Sequence, residues 1–211
     1  MNTTFSGVEQ LREFIDDRLE SLDFRGVEQE FLPRRALEQF TTKDVIRLVA
    51  STENSFLLYG QALEDFIDKA HCQARIMFAT CFYGFSDKGL SMIILQGLLD
   101  DGLTDANLPL TRASCRNTKL KKHMSLFCDN QKRFYTAYFR LNSYQNLDRL
   151  TKPIRLDEGM SNVLGKGAFG EVLNIQIHPE HRSFSSVRIP PDYSAVTSKL
   201  RRGQTRRENL L

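Results

Sequence analysis

The stretch Leu164-Gly165-Lys166-Gly167-Ala168-Phe169-Gly170-Glu171-Val172 constrains the fold more than any other part of this 211-residue chain. Its glycines follow G-x-G-x-x-G spacing, which dinucleotide-binding folds share. A dinucleotide fingerprint must run from its loop into a helix, whose amino end holds the pyrophosphate. Here the chain continues as Val172, Leu173, Asn174, Ile175, Gln176 and Ile177, with Leu173, Ile175 and Ile177 on one face, until Pro179 stops it. That alternation predicts a strand. Strand, glycine loop and strand make a β-hairpin over about 160–178.

The first two-thirds of the chain read as helical. Ser6 and Glu9 form a capping box ahead of Val8, Leu11, Phe14, Ile15 and Leu19, predicting an amphipathic helix over about 7–21. Pro33 fits the first turn of a short helix carrying Leu37 and Phe40, because its missing amide hydrogen is not needed there. Thr41 and Asp44 repeat the capping pattern ahead of Val45, Ile46, Leu48 and Val49. Leu63, Phe66, Ile67, Ala70, Ala74, Met77, Phe78, Cys81 and Phe82 predict one long helix over about 61–83. His71 lies beside that stripe and reads as a satisfied structural histidine.

After a break at Gly84, Leu90 to Leu99 forms another helix, closed by Asp100, Asp101 and Gly102. Leu103 to Leu110 reads as a turn, and 111–128 as an exposed basic linker. The aromatic stretch Gln131 to Leu141 fits either a final helix or a buried extended segment, and periodicity does not separate the two.

Charge is divided along the chain. Residues 1–110 hold 10 Lys and Arg against 18 Asp and Glu, and residues 111–211 hold 19 against 8. Most of these side chains read as solvated surface. The basic stretch 111–128 carries no nucleic-acid motif, since only His123 and Phe127 lie near enough to stack on bases. From Ser183 the chain becomes polar and basic, with Lys199, Arg201, Arg202, Arg206 and Arg207, and reads as a disordered tail.

The expected fold class is thus mainly α: a helical domain at 5–140, a linker at 141–159, the hairpin at 160–178 and a disordered basic tail at 179–211. No secretory signal and no membrane span are expected. Cys72, Cys81, Cys115 and Cys128 form no Cys-x-x-Cys pair, which suits reduced thiols and an intracellular protein, cytoplasmic or nuclear. Cys115, His123 and Cys128 match no common zinc spacing, so no metal site is expected.

Strand, glycine loop and strand is also the hairpin that protein kinases fold over the phosphates of ATP, and the G-x-G-x-x-G-x-V string is complete. Glycine is needed because the backbone must approach the phosphates with its amides free. The chain resembles a fungal family of serine/threonine protein kinase proteins in which a helical region precedes the kinase domain. The loop carries the likeness, and Gln73 to Gly84, Gly102 to Leu110 and Asn130 to Phe139 resemble that family's helical segments.

The resemblance implies ATP, with magnesium in an intact family member, and contacts from Leu164, Gly165, Lys166, Gly167, Ala168, Phe169, Gly170 and Val172. Leu164 and Val172 would wall the adenine, and Phe169 would cap the phosphates. Against it, no lysine occurs between Lys166 and Lys199, His181-Arg182-Ser183 lacks the aspartate of His-Arg-Asp, and no Asp-Phe-Gly follows the loop. No catalytic residue is therefore assigned.

Three readings remain open: a kinase-family fragment that is catalytically incomplete as it stands and holds no nucleotide alone, a helical module that binds a protein partner beside a vestigial hairpin, and a weak ATP binder.

Overall fold

A computed structural model describes residues 5–24, 26–52, 58–87, 89–114, 118–140, 151–156, 163–167, 170–173 and 175–183. The protein is mainly helical, with short antiparallel strand pairs. Helix α1 (Val8–Asp16) buries Leu11 and Ile15 and is shorter than the pattern predicts. The backbone amide of Ser6 donates to Gln10 Oε1 at 3.0 Å, and no side chain caps the helix at Gly7.

Where α1 was expected to continue, the chain turns into β1 (Glu20–Phe24), which pairs with β2 (Val27–Phe31) from Glu20↔Phe31 to Phe24↔Val27. Asp23 and Gly26 make this turn. The carboxylate of Asp23 accepts the Gly26 amide at 3.0 Å, and Gly26 has φ +76°, a conformation that favours glycine.

Pro33 stands just outside α2 (Arg34–Phe40), whose Ala36 and Phe40 are buried. Helix α3 (Lys43–Thr52) starts with the Val45 amide on Thr42 Oγ1 at 3.4 Å, so Thr42 takes the role expected of Thr41. The Thr41 hydroxyl is instead fully buried. It donates to the Leu37 carbonyl at 2.8 Å and accepts from Arg75 Nε at 2.8 Å.

The long helix expected over 61–83 is two helices, α4 (Gln61–Gln73) and α5 (Arg75–Gly84), parted at Ala74 with φ −142° and ψ 39°. Hydrophobic spacing does not register such a break, because Ala74 is itself fully buried. Helix α5 buries Met77 to Phe82 without interruption and lies against α2, α4, α6 and α8. A helix apolar on all sides belongs at the centre of a fold.

Helix α6 (Leu90–Asp100) ends as expected, with Gly102 at φ +76° and the Leu103 amide bonded back to the Leu98 carbonyl at 3.0 Å.

The linker expected over 111–128 is corrected. Helices α7 (Thr118–Lys121) and α8 (Met124–Phe134) occupy much of it, with Leu120, Met124, Phe127 and Phe134 in the core while Lys121 and Lys122 stay exposed. The lysines masked a sparse apolar stripe. Gln131 ties α8 to the preceding segment, its side chain donating to the Leu110 carbonyl at 2.7 Å and accepting the Leu110 amide at 2.9 Å. The stretch from 131 takes both of its expected forms in turn. It is helical to Phe134 and then extended, with Thr136 bridged to Thr151 and Phe139 to Arg182.

Within the expected linker, β3 (Ile154–Leu156) pairs with β6 (Ile175–Ile177), beyond the glycine loop. The loop's own strands are β4 (Val163–Gly167) and β5 (Gly170–Leu173). The start of the expected tail is ordered: Pro179–His181 forms a 3₁₀ turn whose His181 is buried. Residues 184–211, most of that tail, lie outside the described residues. Among the described residues, no helix is long and apolar enough to cross a membrane.

Candidate functional site

The glycine string folds as a hairpin. Lys166 pairs with Glu171, Gly165 with Val172 and Gly167 with Gly170, so the second and third glycines face each other across the paired strands. A register irregularity falls between Val163 and Gly165, at Leu164. Leu164, Gly165, Lys166, Gly167, Gly170 and Val172 are thus brought together on paired strands. Ala168 and Phe169 lie outside the described residues. The run from Val172 to Ile177 was expected as one strand, but β5 pairs back on β4 whereas β6 pairs with β3.

A clasp beyond β6 fixes the β3–β6 pair and the 179–181 turn to the helical body. Beyond β6, the His178 amide donates to the Pro153 carbonyl at 2.9 Å, and the Glu180 carboxylate accepts the Arg35 amide at 2.9 Å. His178 Nδ1 accepts the Glu180 amide at 3.3 Å, so its proton sits on Nε2, 3.2 Å from Glu20 Oε2. The fully buried Phe31 ring meets both imidazoles edge to face, His178 at 5.5 Å and His181 at 5.3 Å between centroids.

His181 has the more unusual environment. Only 2% of it is exposed, and Nδ1 lies 3.2 Å from the Ala137 carbonyl and 3.3 Å from Thr136 Oγ1. A carbonyl only accepts, so Nδ1 carries the proton and Nε2 keeps a lone pair. That Nε2 is buried and has no hydrogen-bond partner. Burial, which disfavours the charged imidazole, and the neighbouring His178 lower its pKa to about 4.

His181 lines a cleft of about 260 Å³ where α2, the start of α5, the end of α8 and the extended segment 135–139 converge. Arg75 stands at one side, donating to the buried Thr41 hydroxyl and, at 3.2 Å, to the Glu38 carbonyl. Arg34 stands at the other. It pairs with Glu38 at 2.8 Å and lies over the Tyr138 ring at 4.2 Å.

Asp105 also borders the cleft, where its carboxylate caps α5 from a distant part of the chain. Oδ2 accepts the Ile76 amide at 2.9 Å and Oδ1 the Met77 amide at 3.0 Å. Desolvation raises its pKa to about 6, against the pull of these amides and of Arg75.

Sequence reasoning passed over both residues. His181 drew notice only as an incomplete His-Arg-Asp string, and Asp105 lay in a stretch read as a turn. The alignment of Asp105 with an uncapped helix start carries no local signal.

The thiol and imidazole weighed as metal ligands have other contacts. Cys128 Sγ donates to the Leu110 carbonyl at 3.3 Å, and His123 packs edge-on against Phe85 at 5.7 Å between centroids. Cys115 lies outside the described residues. Among the described residues, no group of His, Cys, Asp and Glu is arranged to hold a metal ion.

No protein-family model, curated protein or solved structure matches the chain.

Proposed function

We propose that the chain is part of a serine/threonine protein kinase-type protein, in which residues 163–173 form the glycine loop over ATP and the helical body precedes it. The observation that carries this reading is the closure of Gly167 on Gly170 between antiparallel strands, with Gly165 one step back beside Val172. A hairpin of this kind offers backbone amides to phosphates without side chains in the way. It runs into β-structure on both sides, unlike a dinucleotide fingerprint, which opens a helix.

As it stands, the 211-residue chain transfers no phosphoryl group and holds ATP weakly or not at all. Positioning and charge stabilisation do nearly all the work in such a reaction. The strand that follows the hairpin, Ile175–Ile177, contains no lysine, and no aspartate of a His-Arg-Asp or Asp-Phe-Gly string follows it. Lys199 sits in the polar basic stretch and takes no part.

The test is the mass of the protein in its native source, together with the transcript downstream of the codon for Phe184. A longer product that supplies the lysine and both aspartate strings, and that loses phosphoryl transfer on replacing Gly167 and Gly170 by valine, supports the reading. A product ending at Leu211, without the lysine and the aspartate strings, overturns it and leaves the helical body, as a protein-binding module, to carry the function.

A further inference from the structure

We propose that the segment 178–183 is a proton-operated clasp, which in mild acid comes away from Phe31 and from the extended strand that leaves α8 while the helical core stays closed. The inference does not depend on the glycine loop and stands or falls separately from the kinase reading.

The clasp is built on an apolar seam of its own. Phe31, Ala137 and Ile154 are buried, yet none of them belongs to the core cluster that runs from Leu11 to Phe134. Along this seam the Phe139 amide donates to the His181 carbonyl at 2.8 Å, and the Ser183 amide to the Phe139 carbonyl at 2.9 Å. A small seam of this kind opens at a lower free energy than a packed core does.

His181 is the group in the seam that a proton disturbs. Its ring is buried and packs edge-on against Phe31. Nδ1–H already donates to the Ala137 carbonyl, so an added proton goes to Nε2, which is buried without a hydrogen-bond partner. The imidazolium would carry a desolvated charge and an unsatisfied N–H.

The surrounding groups do not offset that cost. His178, 5.6 Å away between ring centroids, disfavours a second charge, and Arg34 of α2 adds to the repulsion. Glu180 favours the charge, but its carboxylate accepts the Arg35 amide at 2.9 Å and lies 4.0 Å from the Arg35 guanidinium. Glu20 of β1 lies on His178, β2 presents the Phe31 ring, and the strand after α8 presents the Thr136 hydroxyl and the Ala137 carbonyl. Glu38, Arg75, Asp105 and Tyr138 share the cleft that His181 lines.

Opening returns the imidazole to water, where 6.5 replaces the value of about 4 that it has in the closed clasp. The open form therefore binds the proton more tightly, and between these values each unit of falling pH favours opening by up to about tenfold. Asp105 titrates in the same interval with the opposite sign, but it caps α5 and keeps its place when the clasp opens.

The test is amide deuterium exchange on the full chain from about pH 7.5 to about pH 5, where ordinary carboxylates stay charged, with protection corrected for the intrinsic rate. The Phe139 and Ser183 amides report the clasp, and those of Ala79 to Phe82 report α5. We expect the clasp amides to be less protected than α5 at every pH and to lose protection about 25-fold over the range. The α5 profile should be shallower, because whole-chain unfolding also releases Asp105. His181→Phe should abolish the slope of the clasp amides, and His178→Gln, which leaves the buried ring in place, should retain it.

A flat clasp profile in the unaltered chain, clasp protection equal to that of α5, a slope that survives His181→Phe or a slope lost in His178→Gln overturns the proposal.

Discussion

His181 Nδ1 lies 3.2 Å from the carbonyl oxygen of Ala137, a contact between residues 44 apart in the chain. It fastens the segment after the glycine hairpin to the extended strand that leaves α8, and Phe31 packs against the same imidazole. The neutral ring is what fits. Its pKa falls from 6.5 to about 4 on folding, so the unfolded chain takes up a proton over that interval while the folded one does not. Stability from this group is complete above pH 6.5 and is lost as the pH falls towards 4. In His181→Phe, denaturant unfolding at a series of pH values should show a flatter profile below pH 6.5, at a cost of about 1–3 kcal/mol at neutral pH from the unpaired Ala137 carbonyl.

Asp105 works in the opposite sense. Its pKa rises from 3.8 to about 6 on folding, so the folded state holds the proton more tightly. Its contribution is greatest at low pH and declines as the pH rises through about 6. Asp105→Ala uncaps α5 and should cost about 1–2 kcal/mol. Calorimetric melting of both proteins between pH 4 and pH 7 should show the gap between them narrowing as the pH increases.

Thr41→Val keeps the volume of a fully buried residue and removes the hydroxyl that accepts from Arg75. The guanidinium Nε is then left without that partner in a half-buried setting, which should lower stability by about 1–3 kcal/mol by urea titration. Thr41→Ser, which retains the oxygen, should recover most of the loss.

Gly97 on α6 lies against the Leu120 side chain of α7. A Cβ there would come within 2.6 Å of Leu120 Cδ1, with the rest of that buried side chain also close. Gly97→Val should therefore destabilise by about 1–3 kcal/mol through overpacking. Shortening the partner, in Gly97→Val with Leu120→Ala, should restore part of it, a coupling read from a double-mutant cycle.

Much of the helical architecture was legible because its signals are local. Val45, Ile46 and Val49 recur at helical spacing, and the glycine at 102 follows the last apolar residue of α6, where a left-handed stop is needed. The hairpin at the glycine loop was legible for the same reason, since alternation after Gly170 distinguishes a strand from the helix of a dinucleotide site. The β1–β2 hairpin was missed because it sits directly behind a convincing helix pattern. Helices α7 and α8 were missed because basic residues outnumber the few apolar ones that face the core.

What the sequence determined by itself is therefore the set of segments with a periodic apolar face, and the glycine positions whose backbone must turn or approach closely. The break at Ala74, the cap that Asp105 provides, the buried neutral state of His181 and the cleft between them were decided only by the tertiary structure. Each depends on a polar group meeting a partner roughly 30 or more residues away. Hydrogen bonds of that reach leave no period in the chain, because what selects them is the cost of burying an amide, a carboxylate or an imidazole alone.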